Sequence, residues 1–145
     1  MYEKLGQFID GKWQQSSDKG TYDVINPATE EIIGQASKAT TDDVERALKS
    51  AEKGLEIWKK TPPWQRSNIL RKIADTIRLK KDVFAKWMTL ENGKPLAEGA
   101  AEANGTADIF EWNAEETKRI YGQTIESRFA DTRVHVYYQP VGVVA

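Results

Sequence analysis

Between Pro95 and Tyr121, Leu96, Ala100, Ala103, Ala107, Phe110, Ala114 and Tyr121 return at steps of three, four and seven. An apolar period held that long predicts one extended amphipathic helix with a covered face. Asn92-Gly93 stops whatever precedes it, Pro95 suits a first helical turn, and Gly122 marks its end. Gly99, Ala103 and Gly105 are small enough to let a neighbouring backbone come close. Glu98, Glu102, Asp108, Glu115 and Arg119 take the opposite face, with Glu115 and Arg119 spaced for an ion pair across one turn.

The rest of the chain is arranged around that helix. Asp10-Gly11, between Gln7-Phe8-Ile9 and Lys12-Trp13-Gln14, predicts a tight hairpin. The β-branched runs Thr21 to Asn26 and Glu31 to Ala36 predict a second, turning through Pro27 to Glu30. Thr40 or Thr41 caps a first helix with an apolar stripe of Val44, Ala47, Leu48, Ala51, Leu55 and Trp58, and Asp42 and Asp43 complement its N-terminal dipole. Thr61-Pro62-Pro63 opens a second helix, apolar at Ile69, Leu70, Ile73 and Ile77 and basic at Arg71, Lys72, Arg78, Lys80 and Lys81. Asp82 is expected to cap a third helix, with Val83, Phe84, Trp87, Met88 and Leu90 as core. Thr132, Val134, Val136 and Tyr138 alternate with polar neighbours as in a half-buried strand, and Val141 to Ala145 reads as a strand buried on both faces. That apolar ending is expected to make the chain the front part of something longer.

Composition removes whole classes of chemistry. With 21 basic against 22 acidic residues there is no net field to hold nucleic acid or an anionic membrane. No apolar run approaches the ~20 residues of a membrane span, and the chain reads as soluble and cytoplasmic. With no cysteine and one histidine, thiolate nucleophiles and the common zinc constellations are out. A glycine-rich phosphate loop is also absent. His135, Asp131 and Ser127 do not carry a nucleophile motif, and His135 reads as a surface histidine. Glu111, Glu115 and Glu116 read as a solvated helix face rather than an acid and base pair.

Four ordered stretches carry a resemblance: Phe8-Ile9-Asp10-Gly11-Lys12-Trp13, Val24-Ile25-Asn26-Pro27-Ala28-Thr29-Glu30, Thr89-Leu90-Glu91-Asn92-Gly93-Lys94-Pro95-Leu96 and Gln139-Pro140-Val141-Gly142-Val143-Val144. Together they resemble the N-terminal part of the aldehyde dehydrogenase superfamily. Phe110-Glu111-Trp112-Asn113-Ala114-Glu115-Glu116 leading to Lys118-Arg119-Ile120-Tyr121-Gly122 is most similar to its NAD(P)-dependent succinate-semialdehyde dehydrogenases. The resemblance implies an α/β fold with a Rossmann-type cofactor domain. This segment would supply two hairpins, about four helices, an oligomerisation strand and the first sheet strand. Residues 1–122 would be the N-terminal part of the cofactor domain, 123–140 an oligomerisation arm and 141–145 the opening strand of the sheet.

The implied reaction is oxidation of an aldehyde to a carboxylate: thiolate attack, hydride transfer to NAD or NADP, then hydrolysis of the thioester. The family's catalytic cysteine, glutamate and asparagine have no counterparts in these residues, so no catalytic or cofactor-binding residue is assigned. The chain alone is expected to be inactive and to bind no cofactor. By resemblance, backbone carbonyls of Ile25 and Glu91 would help hold a monovalent cation. Gly105, Thr106 and Phe110 would form a wall of the aldehyde tunnel. Arg133, Val134, His135, Val136, Tyr137 and Tyr138 would pair with another subunit in a homo-oligomer. Glu91 as a helix-end acid and Phe110 as a core aromatic remain open. The alternative function is a non-enzymatic module that self-associates through its exposed strand.

Overall fold

Asp10 and Gly11 adopt φ of 52° and 74°, the left-handed pair that folds β1 (Gln7–Ile9) back onto β2 (Lys12–Gln14) with Phe8 opposite Trp13. The structure, a computed structural model, describes residues 5–145. The expected second hairpin is β3 (Thr21–Ile25) against β4 (Ile32–Ser37), with a register shift between Val24 and Ile25. Its turn is organised by Asn26. The side-chain oxygen accepts from the Ala28 N–H at 2.9 Å, and the main-chain carbonyl accepts from Thr29 and Glu30.

Thr40 caps α1 (Thr41–Trp58): its hydroxyl accepts from the Asp43 N–H at 3.2 Å, and the Asp43 carboxylate accepts from the Thr40 N–H at 3.0 Å. The apolar stripe of α1 does not become core. Val44, Ala47, Ala51 and Trp58 are exposed and Leu48 and Leu55 only half-buried, because α2 and α3 pack on α4 instead. The helices α2 (Pro63–Leu79) and α3 (Lys81–Asn92) are separated by Lys80 alone. Lys80, not Asp82, holds the cap position of α3, since a one-residue joint leaves no room for a polar capping loop. Gly93 ends α3 at φ 78°.

The long helix, α4 (Leu96–Glu116), stops five residues short of Tyr121. Lys118 and Arg119 donate to carbonyls three residues back, a tightened turn that ends the α-helical ladder, and Tyr121 is exposed. Gly122 serves the next element. A Cβ there would lie 2.5 Å from the Val136 carbonyl oxygen. The covered face of α4 is Gly99, Ala103, Ala107 and Ala114, with Phe110 half-buried and Leu96 mostly exposed. Ser67 and Ala74 of α2 and Ala85 of α3 complete the buried centre, so these helices meet through their smallest side chains. A Cβ on Gly99 would sit 2.8 Å from the Ala85 carbonyl oxygen, as expected of a close approach. Gly105 faces open space, contrary to its expected role.

The polar face also re-pairs. Glu115 bonds Arg71 of α2 and Lys118, while Arg119 bonds Glu116, so the expected Glu115 to Arg119 pair does not form. The expected strand near 132–139 is the shorter β6 (Arg133–Val136), paired antiparallel with β5 (Gln123–Glu126), which the sequence did not announce. Residues 141–145 form no strand: they are irregular and exposed, because no described strand lies alongside to take their backbone hydrogen bonds.

Candidate functional site

The spacing of Phe84, Trp87, Met88 and Glu91 puts all four on one side of α3, and the small Ala103 of α4 leaves room opposite. With Ile77 and Thr106 they line a cleft of about 350 Å³ between α2, α3 and α4. Phe84 and Trp87 meet edge to face at 6.1 Å. Trp87, expected in the core, is 43% exposed as part of this wall. The Thr106 hydroxyl donates to the Glu102 carbonyl at 2.9 Å, so it is committed to its own helix. The cleft is thus an apolar surface with one carboxylate at its rim. It can hold an apolar group, and it offers no paired nucleophile and base.

The three tunnel-wall residues share α4 but not a cavity. Thr106 lines the first cleft; Phe110 lines another, near Trp58, Leu70 and Ile120; Gly105 opens to solvent. The segments carrying Ile25 and Glu91 do come together. A Cβ on Gly93, two residues after Glu91, would be 3.1 Å from the Pro27 side chain, two residues after Ile25. Among the described residues no group of three or more His, Cys, Asp or Glu side chains could hold a metal. Arg133 to Val136 lie in β6, with Tyr137 and Tyr138 exposed beyond it. His135 Nδ1 is 3.2 Å from the Thr124 hydroxyl, while Ser127 Oγ accepts from the Phe129 N–H and the Asp131 carboxylate accepts from the Thr132 hydroxyl.

Ion pairing accounts for all the carboxylates of α4 but Glu98. Arg78 donates to Asp108 and Glu111, each at 2.7 Å, and these bonds raise the guanidinium pKa further. Glu111, Glu115 and Glu116 are half-buried partners of cations rather than the solvated face expected of them, because Arg78 and Arg71 of α2 reach across to Glu111 and Glu115 and Arg119 folds back on Glu116. The residue that sequence reasoning underrated is Asp43. It is 1% exposed and accepts from Thr40, from the Ser17 N–H and Ser16 hydroxyl at 3.2 Å, from Gln7 at 3.3 Å, and from Arg46. Those bonds, the Thr40 N–H first, hold its carboxyl far below the usual range. The Thr-x-x-Asp spacing was the available signal. It foretells a cap but not the strand loop that closes over it.

Comparison with known proteins settles the family. Residues 13–145 match the model of the aldehyde dehydrogenase family. The chain belongs to the aldehyde dehydrogenase family. It is 41% identical over 138 residues to the glutarate-semialdehyde dehydrogenase of Pseudomonas aeruginosa, covering 95% of this chain and 29% of that protein. It is 39% identical to the NADP(+) succinate-semialdehyde dehydrogenase of Escherichia coli, covering 94% and 28%. This aldehyde dehydrogenase chain therefore spans under a third of the length of those relatives. Its fold matches the crystal structure of an E. coli NADP-dependent enzyme with a TM-score of 0.85 at 36% identity, over 91% of this chain and 27% of that one. It also matches a betaine aldehyde dehydrogenase point mutant from Staphylococcus aureus in complex with NAD+, with a TM-score of 0.82 at 34% identity, over 89% and 27%.

The described residues of this aldehyde dehydrogenase do not form the glycine-rich turn by which a Rossmann-type fold holds a dinucleotide. Gly11 turns the first hairpin, Gly93 is pressed on Pro27, and Gly142 lies in the irregular tail, so no glycine-rich turn meets a helix N-terminus. No helix among these residues is long and apolar enough to cross a membrane.

Proposed function

We propose that the protein carrying this chain oxidises a dicarboxylic semialdehyde, succinate or glutarate semialdehyde, to the dicarboxylate with NAD or NADP as hydride acceptor, in the cytoplasm. The observation that carries this reading is the 39–41% identity, over nearly the whole chain, to dehydrogenases named for those two substrates. In it, residues 1–122 support the cofactor domain, 123–140 form the arm between subunits, and 141–145 start the sheet once its neighbouring strands are present. Gly105, Thr106 and Phe110 form part of the aldehyde tunnel wall. The carbonyls of Ile25 and Glu91 supply hard oxygen donors to a monovalent cation, a role supported by the contact of Pro27 with the Gly93 position. With no cysteine in its 145 residues, the chain by itself supplies no thiolate for the first step.

The test is an assay of the longest polypeptide that carries this chain. Succinate, glutarate and betaine aldehyde substrates are compared with each nicotinamide cofactor by reduced-cofactor absorbance. Higher kcat/KM for the two semialdehydes supports the reading. Preference for betaine aldehyde, or no oxidation of any of them, removes it. The 145-residue chain serves as the control expected to give no turnover.

A further inference from the structure

Arg46, Lys49 and Lys53 follow one another at three and four residues along α1, which aligns them on the side facing the first hairpin. The hairpin is held there by the Asp43 hydrogen bonds to Gln7, Ser16 and Ser17. Between the two elements lies a groove of about 420 Å³, lined by these three cations, Lys12, Asp10 and Trp13 among others. Arg46 is occupied by Asp43. Among the described residues, Lys12, Lys49 and Lys53 make no ion pair, as is also true of Arg66, Lys72 and Lys86 on α2 and α3. What sets Lys12, Lys49 and Lys53 apart is convergence: in a chain of net charge −1 they line one concavity together, with Asp10 as the one carboxylate in its lining.

We propose that this groove binds the polyphosphate chain of a small anion. Lys49 and Lys53 are one helical turn apart, about 6 Å along the axis, and Lys12 approaches from the hairpin. An elongated polyanion engages several of them together, where a single carboxylate meets one at a time. Trp13 adds a flat wall: its indole is 71% exposed and tilted against Phe8 at 5.3 Å. It is available to stack on a base if the polyphosphate belongs to a nucleotide. This inference stands apart from the dehydrogenase reading.

The test is isothermal titration of the full chain with inorganic tripolyphosphate and, separately, with ATP. Expected is saturable one-site binding that fades toward about 1 M salt, where the screening length falls to ~3 Å. Lys49→Gln/Lys53→Gln should weaken it at least about tenfold, a difference of ~1.4 kcal/mol. Lys72→Gln/Lys86→Gln, which changes the net charge equally on α2 and α3, should leave it intact. Circular dichroism checks that both variants fold. If ATP binds more tightly than tripolyphosphate and Trp13→Ala removes the difference, the ligand is a nucleotide. Equal affinity, unmoved by Trp13→Ala, makes it inorganic polyphosphate. Absence of saturable binding, or equal losses in the two double variants, overturns the proposal.

Discussion

Gly99 and Ala85 touch backbone to backbone: a methyl group at Gly99 would lie 2.8 Å from the Ala85 carbonyl oxygen and 3.1 Å from its Cα. Six residues on, Gly105 has nothing within 4 Å of the same position. One substitution should therefore act with opposite signs at the two sites. Gly99→Ala forces α3 away from α4 and should cost about 1–3 kcal/mol, as overpacked interiors do. Gly105→Ala relieves only the conformational freedom of a mid-helix glycine and should stabilise by roughly 0.5–1 kcal/mol. Urea denaturation of both variants checks the pair, and shifts of the same sign would contradict the packing described.

The first hairpin and α1 share Asp43, and acid should separate them. The folded pKa of Asp43 is depressed below its ordinary 3.8. Its contribution to stability is therefore complete above that value and is lost as pH falls through it toward the lower folded pKa. Asp43→Asn should unfold at a lower temperature than the parent at neutral pH and show a flatter acid limb. Melting curves from neutral pH down to pH about 2 are the measurement.

Thr40 is the simpler half of that cap. Thr40→Ala removes the acceptor for the Asp43 N–H and the hydroxyl 2.8 Å from Ser17 Oγ. A loss of about 1 kcal/mol is expected, with Thr40→Ser recovering most of it. Chemical denaturation of the three proteins decides.

Gly93 combines a φ of 78° with a 3.1 Å approach of any Cβ to Pro27. Gly93→Ala should destabilise by about 1–2 kcal/mol from the backbone alone. It should also loosen the turn at Asn26, read as faster amide exchange at Ala28 and Glu30. Unchanged exchange there would separate the helix end from the hairpin.

In the proposed oligomer, Ile125 and Val134 face each other across β5 and β6 while each stays nearly half exposed. Ile125→Glu/Val134→Glu should shift the assembly toward monomer in light scattering. An unaltered mass would remove this hairpin from the interface.

The sequence made the first two hairpins legible because Asp10-Gly11 and Asn26-Pro27 carry turn chemistry that acts locally. The helices were legible as elements through their period, and the family through four ordered motifs. Burial was harder to foresee. The stripe of α1 has a helix-like period whether or not anything covers it, and Leu96 and Tyr121 extend the period of α4 beyond its packed length. Residues 141–145 have the apolarity of a strand, yet strand formation depends on neighbours rather than on composition. The position of Asp43 in the first turn of α1 signals a dipole partner only, since its buried role depends on Ser16 and Ser17, more than 25 residues away in the chain.

The joint of α2, α3 and α4 is made of Ser67, Ala74, Ala85, Gly99, Ala103, Ala107 and Ala114, with no bulky side chain fully enclosed there. Its tolerance to sequence drift is consequently inverted. Most interiors fail by losing atoms; this one has almost none to lose and fails by gaining them. A saturation library should show depletion at these seven positions that rises with side-chain volume, while trimming the large apolar residues around them is borne more easily.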